Sequence, residues 1–372
     1  MPKPVRVLVA DDSPFMRAYL TRVLEQSGRA RVVAAVASGT EVLDALERYP
    51  VDVVTLDVEM PGMDGLACLR RIMQQHPTPV LMLSAYTTRG SAVTLEALAA
   101  GAVDFVPKPS SPVSAARSFA DELLAKVEQA ASISRAVLQR LKETAQAADR
   151  GRGRRAATAA ALSAPGGVPA RRVVAIGAST GGPPALEALL RALPPGLPAA
   201  VLITQHMPRG FTASLARRLS DAGNLIVYEA FEGAPLQESV GYVAPGGLHL
   251  TVGSDGRLHL DEGPPVHHVR PAVDVMLRSV AQHFGPEALA VILTGMGSDG
   301  AEGARAVKAA GGLCLAQDEA SCVVAGMPQS VVRAGLADEV GPPEALAVSI
   351  ARWARERQGR DERGEAGASG EG

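Results

Sequence analysis

Residues Val173–Gly182 read VVAIGASTGG. Val173–Ile176 is a short apolar run rich in β-branched residues, the pattern of a strand buried inside a parallel sheet. The turn Gly177-Ala178-Ser179-Thr180-Gly181-Gly182 follows at once. Pro183 and Pro184 suit a helix's first turn, and Ala185–Leu193 carries a helical pattern. Ser179 thus sits on a sharp strand-to-helix turn. Gly177-x-Ser179-x-Gly181 matches a nucleophile elbow, in which glycines let the chain turn tightly and expose a hydroxyl. The same turn can also hold an anion on its backbone N–H groups, or be no more than a glycine-rich turn with a capping serine.

Outward from this stretch, a βα series continues. Ala200–Thr204, Leu225–Glu229, Ala290–Leu293 and Leu313–Ala316 read as strands. Val240–Val243 and Leu248–Val252 with Leu258–Leu260 suggest an antiparallel hairpin, turning at Gly253-Ser254-Asp255-Gly256. A serine nucleophile needs a base, and the base an orienting acid. His206 follows the strand Ala200–Thr204 directly, so it lies beside Ser179 if that strand is parallel to Val173–Ile176. His249 and His259 fall within hairpin strands and read as structural; His267 and His268 in HHVRP are a second choice for the base. Asp299, in ALAVILTGMGSDG, stands past a strand end and is the expected acid. No histidine follows it, so the order is Ser179, His206, Asp299. Gly295-x-Gly297-x-x-Gly300 offers a rival, a dinucleotide-binding turn with Asp318 as ribose acid. Asp299 would point a negative charge at the pyrophosphate, and the motif starts after several strands have passed.

The first third of the chain has the same alternation. Val5–Ala10, Arg31–Val36, Val51–Leu56, Val80–Leu83 and Val103–Val106 read as strands; Pro14–Gln26, Thr40–Arg48, Gly65–Gln75, Ser91–Ala100 and Val113–Ala131 read as helices. Repeated βα units imply a doubly wound parallel sheet with its function at the strands' carboxyl ends. Those ends carry Asp11 and Asp12, Asp57, Ser84, and Lys108 followed by Pro109. Three carboxylates converging on one edge repel each other unless a cation joins them, and such oxygen ligands suit Mg²⁺. Asp57 can then act as nucleophile toward a phosphoryl donor, with Lys108 balancing the charge and Ser84 donating a hydrogen bond.

The 372 residues suit two domains. A net charge of −2 and only 3% aromatic residues argue against nucleic-acid binding. The three cysteines, Cys68, Cys314 and Cys322, have no metal-ligand spacing and read as small buried hydrophobes of a reducing compartment. The opening MPKPVRVLVADDS reads as a strand entering an acidic turn rather than a signal peptide, and no apolar run reaches membrane-spanning length. A cytoplasmic protein without membrane insertion is expected. Lys126–Ala147 continues a helical pattern. Asp149–Ala170, with four Arg among Gly, Ala and Pro, reads as a flexible linker.

Asp11-Asp12, Asp57 with MPGMDG at Met60–Gly65, Ser84 and Lys108-Pro109 resemble a response-regulator receiver domain. IGASTGG at Ile176–Gly182, QHMP at Gln205–Pro208, FTASLARRL at Phe211–Leu219, HVRPAVDVML at His268–Leu277 and LTGMGSDG at Leu293–Gly300 resemble the chemotaxis protein-glutamate methylesterase/protein-glutamine glutaminase family, as does TLEALAAGAVDFVPKP at Thr94–Pro109. The resemblance implies a flavodoxin-like receiver at 1–125, a helical extension and linker at 126–170, a doubly wound α/β hydrolytic domain with an antiparallel hairpin at 171–357, and a disordered tail at 358–372. It implies Asp57 phosphorylation by a chemotaxis-type histidine kinase, Mg²⁺ held by Asp11, Asp12 and Asp57 for that step only, and Phe105 as switch aromatic. It further implies hydrolysis of glutamate γ-methyl esters, and deamidation of glutamines, on the cytoplasmic helices of methyl-accepting chemoreceptors. The implied roles are Ser179 nucleophile, His206 base, Asp299 orienting acid, and the backbone N–H groups of Thr180 and Met296 as oxyanion hole, with no cofactor for hydrolysis.

Overall fold

The computed structural model describes residues 3–85, 87–109, 116–150 and 167–368. The chain divides into two compact units, Met1–Arg154 and Arg155–Gly372. Residues 151–166, the body of the expected linker, and 369–372, at the end of the expected tail, lie outside the described residues.

The first unit alternates β1 (Val5–Ala10), α1 (Pro14–Gln26), β2 (Ala30–Val36), α2 (Gly39–Arg48), β3 (Val53–Asp57), α3 (Gly65–Gln75), β4 (Val80–Ser84), α4 (Thr88–Ala99), β5 (Asp104–Pro107) and α5 (Ala116–Ala131). All pairings are parallel, in the order β2-β1-β3-β4-β5, which is the flavodoxin-like arrangement. β3 and β4 are buried along their whole length, as strands covered by helices on both faces must be. Helix starts follow local chemistry: the Ser13, Ser38, Asp64 and Thr87 side chains each accept a backbone N–H from the first turn of the helix they precede. The helical pattern beyond Lys126 is interrupted at Ser132–Ser134. A second helix, α6 (Arg135–Arg150), starts there with the Ser134 hydroxyl accepting from Val137 N at 3.3 Å.

The second unit runs β6 (Val173–Ala178), α7 (Gly182–Ala192), β7 (Ala200–Gln205), α8 (Thr212–Ala222), β8 (Ile226–Glu229), β9 (Val240–Val243), β10 (His249–Val252), β11 (Leu258–Asp261), α9 (Val273–Phe284), β12 (Ala288–Ile292), α10 (Ala301–Ala309), β13 (Leu313–Gln317), α11 (Gly326–Arg333), β14 (Glu339–Gly341) and α12 (Pro343–Ala368). Its main sheet, β14-β13-β12-β6-β7-β9-β8, is parallel throughout. Strand order reverses at β6, with β7 on one side and β12 on the other. Such a reversal opens a crevice at the carboxyl ends of the strands, and Ser179 stands there.

The structure corrects the sequence reading in two places. Val240–Val243 is not part of the hairpin; it pairs in parallel with both β7 and β8. Gly241 makes this possible, because a Cβ there would lie 3.0 Å from Val227 Cγ2 on β8. The hairpin is β10 with β11 alone, a separate two-stranded sheet. The last helix runs to Ala368, through most of the stretch expected to be disordered. Once its packed first turns have formed, each further residue adds one hydrogen bond for one residue fixed, and the Glu, Arg and Ala of this stretch suit a helix. The short edge strand β14 had no periodicity to reveal it.

All three cysteines are buried, and burial pushes the Cys68 and Cys314 thiols up to about 12. Among the described residues, no helix is long and apolar enough to cross a membrane.

The elbow glycines have distinct duties. Gly181 has φ +75°, and a Cβ there would meet Val323 Cβ at 2.5 Å. A Cβ on Gly177 would meet Val273 Cγ1 at 2.4 Å, so its bareness lets the first residue of α9 press against β6. Gly177→Ala is therefore expected to cost about 1–3 kcal/mol of stability, the usual range for overpacking a core, read as a lowered urea midpoint with an unchanged slope. Unaltered stability would show that α9 can withdraw from β6.

Candidate functional site

β6 and β7 pair in register through Ala178 and Gln205, so Ser179 and His206 are the next residues on adjacent parallel strands, which lie about 4.8 Å apart. His206 N extends the ladder to Ala178 O at 3.0 Å. The buried Gln205 side chain clamps the pair: its Nε2 donates to Ser179 O at 2.9 Å and to His206 O at 3.2 Å. From the other side, Ser179 N donates to Thr294 O at 3.0 Å, and Thr294 Oγ1 donates to Thr180 O at 2.9 Å. Gly295 packs so closely that a Cβ on it would lie 2.7 Å from Ser179 Cβ. The expected oxyanion residues therefore flank the serine: Thr180 is buried in the elbow, and Met296, next after Gly295, is half exposed.

Asp299 reaches this place from the loop after β12. Its Oδ2 lies 2.7 Å from His206 Nε2. The carboxylate is 2% exposed and is held on its other lone pairs by the first turn of α9: Val273 N donates to Oδ2 at 2.7 Å and Asp274 N to Oδ1 at 2.9 Å. Burial alone would raise the Asp299 carboxyl. The hydrogen bond and charge of His206, with the two backbone donors, outweigh it and hold the group below its ordinary value.

The junction also holds Asp274, which the sequence reading passed over, and His267, which it read only as an alternative base. Asp274, fully buried in the first turn of α9, accepts from Gly300 N at 2.9 Å and Gly303 N at 2.7 Å at the start of α10. Asp299, just before α10, caps α9, and Asp274 on α9 caps α10. His267, one of the two alternative bases, donates to Asp274 Oδ2 at 2.8 Å and lies 4.0 Å from Asp299 Oδ1. A cluster of a histidine and two carboxylates has metal-like spacing, but each of the four carboxylate oxygens already takes at least one N–H. It is a hydrogen-bonded junction. The same bonds dispose of the dinucleotide reading, since the N–H groups of Gly300 and Gly303, which would face a pyrophosphate, are committed to Asp274. An Asp directly after Ala272-Val273 and an Asp directly before Gly300 carry no sequence signal for such mutual capping.

In the first unit, Lys108 Nζ lies 2.7 Å from Asp57 Oδ2 and 2.8 Å from Asp11 Oδ2. Asp11, Asp12 and Asp57 offer oxygens within 4.8 Å of one another. Burial raises the Asp57 carboxyl, against the hydrogen bond and charge of Lys108 and with the help of Asp11. Burial opposes the charge on Lys108, and its bonds to Asp11 and Asp57 overcome it, raising the ammonium. Three acids against one lysine leave the cluster short of positive charge, and Asp11 Oδ2 is a buried oxygen without a well-directed hydrogen bond. Both features fit a hard cation. The Ser84 hydroxyl, at the end of β4, pairs with Thr94 Oγ1 at 2.8 Å. Phe105 is turned inward, 3% exposed, under the Lys126 ammonium at 5.3 Å from its ring centre.

The family model for CheB methylesterase matches residues 174–350, and that for the response regulator receiver domain matches residues 7–118. A protein-glutamate methylesterase/protein-glutamine glutaminase of Symbiobacterium thermophilum is 47% identical over 94% of this chain and 97% of its own length. One from Pyrococcus abyssi is 41% identical, covering 94% of each. Among solved structures, the CheB methylesterase catalytic domain of Thermotoga maritima shares 42% identity over 49% of this chain and 97% of its own, with a TM-score of 0.48. The response regulator domain of Thermotoga maritima CheB shares 44% over 35% and 98%, with a TM-score of 0.33.

A depressed carboxyl such as Asp299 contributes stability that is fully present above the ordinary carboxylate range and is lost as pH falls through its lower folded value. The stability gap between the wild-type protein and Asp299→Asn should therefore narrow on acidification, measured by urea unfolding at neutral pH and below about pH 4. A gap constant with pH would mean that the Asp299 carboxyl is not depressed in the fold, and a gap that widens on acidification that it is raised.

Proposed function

Because this chain belongs to the CheB methylesterase family and carries a receiver domain ahead of its catalytic domain, we propose that it is a phosphorylation-regulated hydrolase of glutamate γ-methyl esters and of glutamine side-chain amides on chemoreceptors. The observation that supports the reading is that Ser179 and His206 stand at the ends of the adjacent strands β6 and β7 while Asp299, from the loop after β12, lies 2.7 Å from His206 Nε2. The receptors' cytoplasmic helices are the substrate surface, which makes the enzyme cytoplasmic.

In this mechanism Ser179 Oγ attacks the γ-carbonyl carbon while Nδ1 of His206 takes its proton. Asp299 holds the ring in that tautomer and balances the imidazolium. The backbone N–H groups of Thr180 and Met296 bind the oxyanion; one such donor is worth about 2.7–4 kcal/mol. Collapse breaks the ester C–O bond, and methanol leaves with the proton from His206. Water then attacks the glutamyl-serine ester, gives its proton to His206, and Ser179 recovers it as the glutamate carboxylate departs. An amide follows the same route and releases ammonia. Nucleophile, base and acid are all side chains of the protein, so hydrolysis requires no cofactor.

In the receiver, the Asp57 carboxylate takes the phosphoryl group from a chemotaxis-type histidine kinase, with Lys108 pairing the new charge. The Asp11, Asp12 and Asp57 carboxylates would hold Mg²⁺, which would neutralise part of the phosphoryl charge. Ser84 leaves Thr94 to donate to the phosphoryl group, and Phe105 follows it. The receiver restrains the hydrolase until that change occurs.

Ser179→Ala should abolish methanol release from methylated receptors while leaving the fold intact, and His206→Ala should be nearly as severe; full turnover by folded Ser179→Ala protein would sink the covalent mechanism. A small acyl phosphate should label the protein only with divalent metal and only when Asp57 is present, so label surviving in Asp57→Asn would refute the assignment. A fragment beginning at Pro169 should outpace the unphosphorylated full chain and ignore the phosphodonor. Equal rates would mean that the receiver activates or recruits and does not restrain.

A further inference from the structure

Asp274 is a fully buried carboxylate for which the hydrolytic mechanism has no use. Its Oδ1 is held by the N–H groups of Gly300 and Gly303, and its own backbone N–H is given to Asp299 Oδ1. Two buried carboxylates thus share one junction, and only Asp299 is balanced by the catalytic imidazole. A second negative charge so near would raise the proton affinity of His206 and fill the base before it could act. The group that meets this charge is His267, whose Nε2 lies 2.8 Å from Asp274 Oδ2.

His267 is placed by a tight turn: Val266 N donates to Val269 O at 3.1 Å and Val269 N to Val266 O at 3.0 Å. It has φ +52° and the following His268 has φ +64°. Two successive left-handed residues are what a two-residue hairpin turn of this kind requires, so the turn sets the backbone from which the imidazole reaches Asp274. The charged and titratable groups around this imidazole are Asp274 from α9 at 2.8 Å, Asp299 from the loop before α10 at 4.0 Å, and His206 from the end of β7 on that same Asp299. Arg278, one turn along α9, also approaches Asp274 Oδ2, but at 4.0 Å and half exposed. An exposed cation at that distance is a weak substitute for a directed hydrogen bond.

We propose that His267 is a positioning residue for the hydrolysis: its hydrogen bond to Asp274 shields the His206–Asp299 pair from the second buried carboxylate and keeps His206 a free base at neutral pH. The bond, not substrate contact, is its contribution. The inference deepens the hydrolase reading above and rests on it for the link to rate. His206 is 11% exposed beside Asp299, so its state can be read without any substrate.

The experiment is a titration of the His206 ring by NMR in histidine-labelled full-length protein, alongside the pH profile of methanol release from methylated receptors. His267→Ala, and His267→Phe to keep ring volume without the donor, should raise the His206 midpoint by about half a pH unit or more. The acid limb of kcat/KM should rise by the same amount, with KM unchanged. His267→Gln, which restores an N–H donor, should return both to the wild-type position. A midpoint unmoved in His267→Ala or His267→Phe overturns the proposal whatever the activity, and so does a rise in KM with the midpoint in place. Failure of the wild-type protein to release methanol would instead sink the hydrolase reading, while the His206 midpoint would still decide this one.

Discussion

The second domain depends on an exchange of caps between two helices. Asp299 stands before α10 and satisfies the first N–H groups of α9; Asp274 stands in α9 and satisfies those at the start of α10. Helix N-termini carry partial positive charge and unpaired donors, so each end needs an acceptor and each acid needs donors. Mutual capping meets both needs inside a dry interior, where an unpaired carboxylate would be prohibitive. It also fixes the Asp299 carboxylate through backbone N–H groups of the protein itself. Removing either acid would orphan two N–H groups at the start of one helix.

The two sites in this chain handle buried negative charge in opposite ways. In the hydrolytic site, fixed backbone dipoles and two imidazoles surround the carboxylates, and Asp299 is pushed toward ionisation. In the receiver, burial and Asp11 push Asp57 the other way, with one lysine as counter-charge. The first arrangement is pre-organised and keeps its electrostatics constant through a catalytic cycle. The second is short of positive charge, which suits a site that must gain a cation and then a phosphoryl group. A fixed site and a responsive one are therefore built from the same residue types at the same place in two doubly wound sheets.

Much of this was legible in the sequence because strand ends are legible. Ser179, His206, Asp57, Ser84 and Lys108 each end an apolar run, and parallel sheets gather such ends along one edge. The glycines around Ser179 advertised a tight turn, and Gly181 does take a left-handed backbone. What stayed hidden depends on pairings across distance. Val240–Val243 has the length and composition of a hairpin arm, and its parallel pairing with β7 and β8 rests on residues far away in the chain. Asp274 looked like an ordinary first-turn acid that favours its own helix. Its true role lies at a helix start 26 residues later in the chain. HHVRP drew notice as a rival base, yet His267 serves the acid that neighbours the base, which no spacing rule encodes.

The register of β6 against β7 and β12 carries a consequence for how activity arises during synthesis. Ser179 N is tied to Thr294, His206 to an acid 93 residues away, and Thr294 Oγ1 to a carbonyl 114 residues back. The turn of Ser179 is written early in the domain, but Thr294 and Asp299, which hold it and its neighbour His206, leave the ribosome roughly a hundred residues later. Contacts of such long sequence separation form late, after loop-closure entropy has been met. A partly made chain therefore carries the serine without its chemistry. Recovery of hydrolysis after denaturation reports completion of the whole domain, and no shorter piece lacking β12 and its following loop can be mildly active.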